Sequence, residues 1–351
     1  MEGRTKVKNK RTAVTYLLLI AIITAAFIPL PYYITKPGDG HELDPIVHVD
    51  GGDENDTGTF MLTTIRMGPA NIYSYIWAYI KDYEEILPKE DVRYPHESDS
   101  EYNARQVHLM DSSQQNAITV AFDEAGKTYE WLYQGIKVLA VYPDMPAEDV
   151  LEAGDRIIGI DGQKVKQSKN MTDYVQSKEP GETVTVKYER EEKQNEAEIE
   201  LKAFAELDGK SGLGISLADD RVLKSDPEVN LEAEEIGGPS AGLMFTLEIY
   251  DQLLEDDIAA GLRIAGTGTI SSDGTVGRIG GIEQKVVAAD RAGAEVFFAP
   301  DDELPEEMKD LPTNYEQAKK AAEDIKTNMK IVPVKTFSDA VSYLSNRAVS
   351  K

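Results

Sequence analysis

The sequence contains no cysteine, which excludes disulfides, thiolate nucleophiles and cysteine-based metal sites. Histidine is scarce. The four are His41, His48, His96 and His108, all in the first third and none in an H-E-x-x-H spacing. That argues against a zinc hydrolase, and a Ser-His-Asp triad would need a histidine brought in from far away in sequence. Basic residues are outnumbered, 37 Lys and Arg against 63 Asp and Glu, for a net charge of −26. Such a surface repels phosphate backbones, so no nucleic-acid partner is expected. No Walker-type phosphate loop is present. Gly209-Lys210-Ser211 imitates the end of one, but Phe204 stands where its first glycine belongs. Asp53–Gly58 imitates the opening of an EF-hand loop, but the twelfth position holds Thr64 instead of glutamate. Neither ATP, metal nor cofactor is implied.

What is present begins with a basic head carrying Arg4, Lys6, Lys8, Lys10 and Arg11, followed by an uncharged apolar run from Ala13 to Ile34. About 20 apolar residues suffice to cross a bilayer as a helix. Pro29 and Pro31 should end that helix at its outer edge, and Tyr32 and Tyr33 sit where an aromatic belt belongs. The positive charges predict a cytoplasmic N-terminus, a single-pass anchor in the cell membrane and an extracytoplasmic remainder. A cleaved signal peptide is the rival reading, though Ala25-Ala26 runs directly into Phe27, Ile28 and Pro29 and makes a weak cleavage site. Residues 36–58, rich in glycine, aspartate and proline, read as a linker. Phe60–Ile65 alternates as a strand should, and residues 100–125 read as a helix. Tyr73, Ile76, Tyr79, Ile80 and Tyr83 mark a helical face over 69–87, expected to pack in a core.

Residues 127–204 have a different texture. Gly135 to Val141 reads as a turn into a strand, Pro146-Ala147 opens a short helix, and Leu151-Glu152-Ala153-Gly154-Asp155-Arg156-Ile157-Ile158-Gly159-Ile160-Asp161-Gly162 is a helix end, a strand and a tight turn. Gly181–Tyr188 and Ala197–Leu201 alternate as two more strands. This stretch resembles a PDZ domain. The resemblance implies that an extended peptide adds as a strand to a sheet edge, with Tyr133, Gln134, Gly135 and Ile136 as the binding loop.

The strongest chemical signal lies further on. Gly237-Gly238-Pro239-Ser240-Ala241-Gly242 leads into an apolar helix, so Ser240 sits near a helix N-terminus. Free backbone N–H groups there can stabilise an oxyanion. Pro239 has no N–H, which leaves Ser240, Gly238 or a neighbouring loop as donors. Downstream come Thr267-Gly268-Thr269-Ile270-Ser271, then Val276-Gly277-Arg278-Ile279-Gly280-Gly281-Ile282-Glu283-Gln284-Lys285, then Ala288-Ala289-Asp290-Arg291-Ala292-Gly293-Ala294. Taken singly, a serine before a helix is a cap and a lysine is a solvated surface group. In this order the segments resemble the catalytic domain of Lon proteases. The resemblance implies Ser240 as nucleophile, Lys285 as general base and Thr267 as support for the lysine. Gly237 replaces an aspartate usual before Gly-Pro-Ser in that family, and Thr269 replaces a glutamate.

Together, anchor, PDZ-like module and Lon-like segment resemble a family of bacterial membrane-tethered peptidases. The expected fold class is α+β, with a PDZ module inserted in a Lon-like catalytic domain and one transmembrane helix ahead of both. The expected division is a cytoplasmic head (1–12), anchor (13–34), linker and first part of the Lon-like domain (35–126), PDZ module (127–204) and proteolytic domain (205–351). The expected activity is an ATP-independent serine endopeptidase acting on exported peptides or membrane-proximal unstructured segments. The alternative is a non-catalytic PDZ adaptor that retains a peptidase fold. Implied partners are peptide or protein substrates and the membrane, with homo-oligomerisation left open.

Overall fold

The computed structural model describes residues 15–17, 19–20, 23–53, 57–205, 208–233, 237–302, 304 and 309–348. The basic head at 1–12 and residues 13, 14, 18, 21 and 22 of the apolar run lie outside them. Two sheets organise the chain. The first contains β1 (Pro29–Glu42), β2 (Thr59–Asn71), β3 (Glu85–Pro88), β9 (Arg263–Gly266), β10 (Val296–Pro300) and β11 (Lys330–Val334), in the order β11-β10-β9-β2-β1-β3. Strands β2, β9, β10 and β11 run parallel, and β1 is antiparallel to both its neighbours. The second contains β4 (Thr128–Val141), β5 (Arg156–Ile160), β6 (Thr183–Arg190), β7 (Lys193–Glu200) and β8 (Ile215–Asp226), all antiparallel in the order β8-β4-β5-β6-β7.

The first sheet is covered on both faces, and its sequence shows why. Side chains alternate across a strand, and here both alternating sets are apolar. Phe60, Leu62, Ile264 and Phe298 join a core with helices α1 (Asp99–Glu124) and α3 (Gly242–Leu253). Met61, Ala265 and Phe297 join a second core with α4 (Ile282–Arg291) and α5 (Asn314–Asp324). Residues 29–124 and 242–344 thus build one layered domain, and the second sheet is inserted between them with its own core of Ile136, Val138, Ile157, Val186 and Leu213. That module also takes β8 from beyond residue 204, so its sheet is wider than 127–204.

Three local expectations give way. Residues 36–42 are strand and not linker, because Gly38 and Gly40 allow β1 to pass close to its neighbours. A Cβ on Gly40 would lie 2.7 Å from that of Ala292, and one on Gly38 would collide with Thr64. The helix over 69–87 shrinks to Ile72–Ala78, capped by Asn71, and Tyr83 takes a left-handed φ of 63° before β3. Its aromatic face is exposed, not core. Pro29–Ile34, expected to finish the apolar helix, instead forms the start of β1, where Tyr33 pairs with both Pro69 and Leu87. Among the described residues no helix is long and apolar enough to cross a membrane.

Candidate active site

Ser240 lies in a 3-10 turn, Pro239–Ala241, that runs directly into α3. Gly238 opens the turn at φ 84°, a left-handed conformation that glycine adopts without strain. From α1, the Ser113 hydroxyl donates to the Pro239 carbonyl at 2.9 Å and holds the turn from below. From the first sheet, Thr267 follows β9 and donates its hydroxyl to the Ser240 carbonyl at 2.9 Å, and the Gly268 N–H donates to the same oxygen at 2.9 Å. The backbone of the serine is thus fixed from two sides.

Lys285 arrives on the first turn of α4, whose N-cap Gly281 is left-handed at φ 67°. It is 3% exposed and Thr267 is 1% exposed. The Lys285 Nζ lies 2.7 Å from Ser240 Oγ and 3.0 Å from Thr267 Oγ1. The Thr267 hydroxyl proton is committed to the Ser240 carbonyl, so its oxygen accepts from the amine. Burial pushes the lysine pKa from 10.5 down to about 7, because a charged amine loses its hydration inside the fold. In the neutral state the remaining lone pair faces the serine hydroxyl.

The depressed pKa has a consequence for stability. Between about pH 7 and 10.5 the unfolded chain binds a proton at Lys285 that the folded chain does not. Stability therefore rises with pH across that window. Lys285→Met lacks this contribution. We expect the variant to be more stable than wild type at pH 6 and to lose that advantage progressively towards pH 10. Paired urea titrations measure it, and a pH-independent difference would show that the lysine is not desolvated.

The N–H groups of Gly238 and Ser240 sit at the start of this helical unit, where intrahelical acceptors are lacking. A cleft of about 1440 Å³ passes over Ser240 and Lys285, bordered by Thr63–Met67 of β2, Leu231–Ala233 and Arg278–Gly280. Small-molecule pockets are generally about 300–1,000 Å³, so this one has room for an extended chain.

The other expected binding residues are placed differently. Tyr133, Gln134, Gly135 and Ile136 are not a loop. They lie within β4, where Tyr133 pairs with Arg221, and Gly135 with Asp220 of β8. A Cβ on Gly135 would meet the Ile157 carbonyl at 2.7 Å, so the position is closed by the sheet itself. An apolar groove lies instead between helix α2 (Ser168–Gln176) and the start of β8, lined by Met171, Thr172, Val175, Leu213, Ile215 and Leu217. Strand β8 is the edge of its sheet. Gly212-Leu213-Gly214-Ile215 bends into that edge, with Gly214 left-handed at φ 75°. The signal was present in the sequence as GLGI, but it lay beyond the expected boundary and beside the false phosphate-loop match. Ser113 was also missed. It occupies the buried stripe Met110, Ser113, Ala117, Ala121 of α1, where a polar residue at an apolar position marks a committed hydrogen bond.

A half-buried serine beside a buried lysine in a cleft, next to a module that ends in an edge strand, defines a serine-peptidase type of site joined to a second, sheet-based module. Comparison with known proteins agrees. Residues 112–201 match the PDZ domain family, and residues 231–344 match the Lon protease (S16) C-terminal proteolytic domain. The chain is 30% identical over 105 residues to a Lon protease of Aster yellows witches'-broom phytoplasma, covering 30% of this chain and 12% of that protein. It is 34% identical over 107 residues to one of Metamycoplasma arthritidis, covering 30% of this chain and 11% of that protein. The chain thus spans about an eighth of the length of these curated relatives. The PDZ domain of the SdrC-like protein of Listeria monocytogenes is 42% identical, covering 25% of this chain and 90% of that one, at a TM-score of 0.24. The chain fits a Lon-like, PDZ-containing protease family, and its proteolytic domain is of the serine peptidase type.

Proposed function

We propose that this chain is an ATP-independent serine endopeptidase in which Ser240 is the nucleophile and Lys285 the general base. The observation that carries the reading is the 2.7 Å approach of a desolvated lysine amine to the serine hydroxyl. Ser240 Oγ attacks a peptide carbonyl while Lys285 Nζ takes its proton, and the new oxyanion meets the N–H groups of Gly238 and Ser240. Collapse of the tetrahedral adduct breaks the C–N bond. Lys285 returns the proton to the leaving amine, and water then hydrolyses the acyl-enzyme. Thr267 orients the amine throughout. The cleft over Ser240 and Lys285 has room for an extended chain, so the proposed substrates are segments already extended: loops, tails or exported peptides.

The groove beside β8 supports a docking role for the PDZ module. Its apolar lining suits a C-terminal apolar side chain, and the Gly212–Ile215 bend offers backbone N–H groups to the carboxylate. A fluorescent peptide ending in a free-carboxylate valine should bind at least about ten-fold more tightly than its amide, since a desolvated charge-assisted contact is worth over a kcal/mol. Thr172→Trp, a change at an exposed groove position, should abolish binding without affecting cleavage of short unselective peptides. Equal affinity for acid and amide would leave the module as support.

Membrane tethering with an extracytoplasmic catalytic domain is part of the proposal. Its support is the uncharged apolar run that starts at Ala13 behind five basic residues. The span would end by Ile28, because Pro29 already belongs to β1. Protease added outside cells stripped of outer barriers should digest the catalytic domain; complete protection of it would overturn the orientation.

A further inference from the structure

The short helix Ile72–Ala78 directs its apolar side outward. Tyr73 is 42% exposed, Ile76 55%, Trp77 55% and Ile80 71%. Tyr73, Ile76 and Trp77, at i, i+3 and i+4, share one face of the helix, and Ile80 follows in the turn just beyond it. Tyr79, beside them, is 77% exposed, and only Ala78 of the helix is buried. A contiguous apolar stripe of this kind marks an interaction surface.

Its position identifies what covers it. The N-cap Asn71 pairs in register with Pro29, the first residue of β1. The chain immediately before Pro29 is the apolar run, whose Ile20, Ile23, Phe27 and Ile28 are themselves 61%, 62%, 79% and 46% exposed. The stripe and the run therefore start from the same corner of the fold. Aromatic contacts link that corner to the helix: Tyr32 lies 5.1 Å from Tyr75, and Tyr75 lies 5.9 Å from Tyr79. Lys81 Nζ stands 5.2 Å over the Trp77 ring. A tryptophan and tyrosines with a lysine reaching past them are the side chains favoured at the boundary between acyl chains and head groups.

We propose that this helix face rests in the head-group region of the lipid bilayer, a second membrane contact beside the anchor. The inference rests on the anchor reading and adds a fixed orientation to it. With a net charge of −26, the contact is apolar and aromatic in origin, so added salt does not release it. Strand β2 leads from Asn71 back to Thr63, at the edge of the catalytic cleft. At the rise of an extended strand the eight steps between them span about 26 Å. Docking of the helix thus keeps that part of the cleft within this distance of the bilayer, in reach of short juxtamembrane segments of other proteins.

The sequence has two tryptophans, Trp77 and Trp131. The full chain carrying Trp131→Phe, reconstituted in phosphatidylcholine vesicles with brominated acyl chains, reports on Trp77 alone. Expected is quenching at least two-fold stronger from bromines near the head group than from bromines near the chain end, unchanged in 0.5 M NaCl at about a 4 Å screening length. In the chain with both tryptophans, the quenched component should vanish in Trp77→Phe, which secures the result if Trp131→Phe disturbs the fold. Protein that floats with the vesicles while Trp77 is indifferent to bromine overturns the docked helix and leaves the anchor standing. Protein that does not float with the vesicles overturns both.

Discussion

Ser240→Ala and Lys285→Arg should each lower kcat/KM on an unstructured peptide by roughly 10,000-fold, as loss of one member of a cooperating dyad does. The two variants fail for different reasons. Alanine removes the atom that forms the acyl bond. Arginine keeps the length and a positive charge but stays protonated at any working pH and cannot take the serine proton. Burying a guanidinium where the amine sits, 3% exposed against two hydroxyls, also threatens the fold. Lys285→Met is therefore the cleaner partner, with a similar length and no charge. If Lys285→Met retained a tenth of wild-type turnover while folded, the base would have to be sought elsewhere. The described cleft offers His41 at its rim, and His41→Ala in the same assay would reveal it.

The pH dependence is the second large effect. Lys285 is active as the neutral amine, and burial places its pKa at about 7 in the folded protein. Below that value kcat/KM should rise about ten-fold per pH unit, and above it level off. An ordinary surface lysine would instead keep the rate climbing towards pH 10. Thr267→Val removes the hydroxyl that accepts from the amine at 3.0 Å and donates to Ser240 at 2.9 Å. It should lower the plateau without restoring an alkaline pKa, because desolvation remains. A profile that falls between pH 6 and 9 in a folded enzyme would exclude a lysine base.

The cluster of Ser240, Thr267 and Lys285 was legible in the motif order, since a serine at a helix start, a threonine after a strand and a lysine on a following helix are each local features. The sequence could not carry how α1 supports them. The Ser113 bond to Pro239 spans 126 residues, and nothing near Ser113 announces its partner. That Tyr133–Ile136 lies within a strand and not in a loop was hidden for a related reason. The partner of that strand, β8, is contributed by residues 215–226, beyond the expected end of the module, and strand order is a tertiary property that alternation does not encode. The 69–87 stretch shows the limit of periodicity in another way. The spacing of Tyr73, Ile76, Tyr79, Ile80 and Tyr83 suggests one helical face over 69–87, but the helix ends at Ala78 and holds only Tyr73 and Ile76 of the five, and spacing does not report whether a face is covered. Gly38 and Gly40 read as linker because glycine is common in turns, whereas here they permit close packing of β1.

The central claim is that Ser240 is activated by Lys285, and a serine-directed fluorophosphonate tests it most directly. The full chain is treated at pH 8, digested and mapped by mass spectrometry. The account predicts one adduct, on Ser240, formed readily in wild type, absent in Ser240→Ala and suppressed in folded Lys285→Met. Labelling that persists unchanged in Ser240→Ala, or a wild-type Ser240 no more reactive than in Lys285→Met, would contradict it.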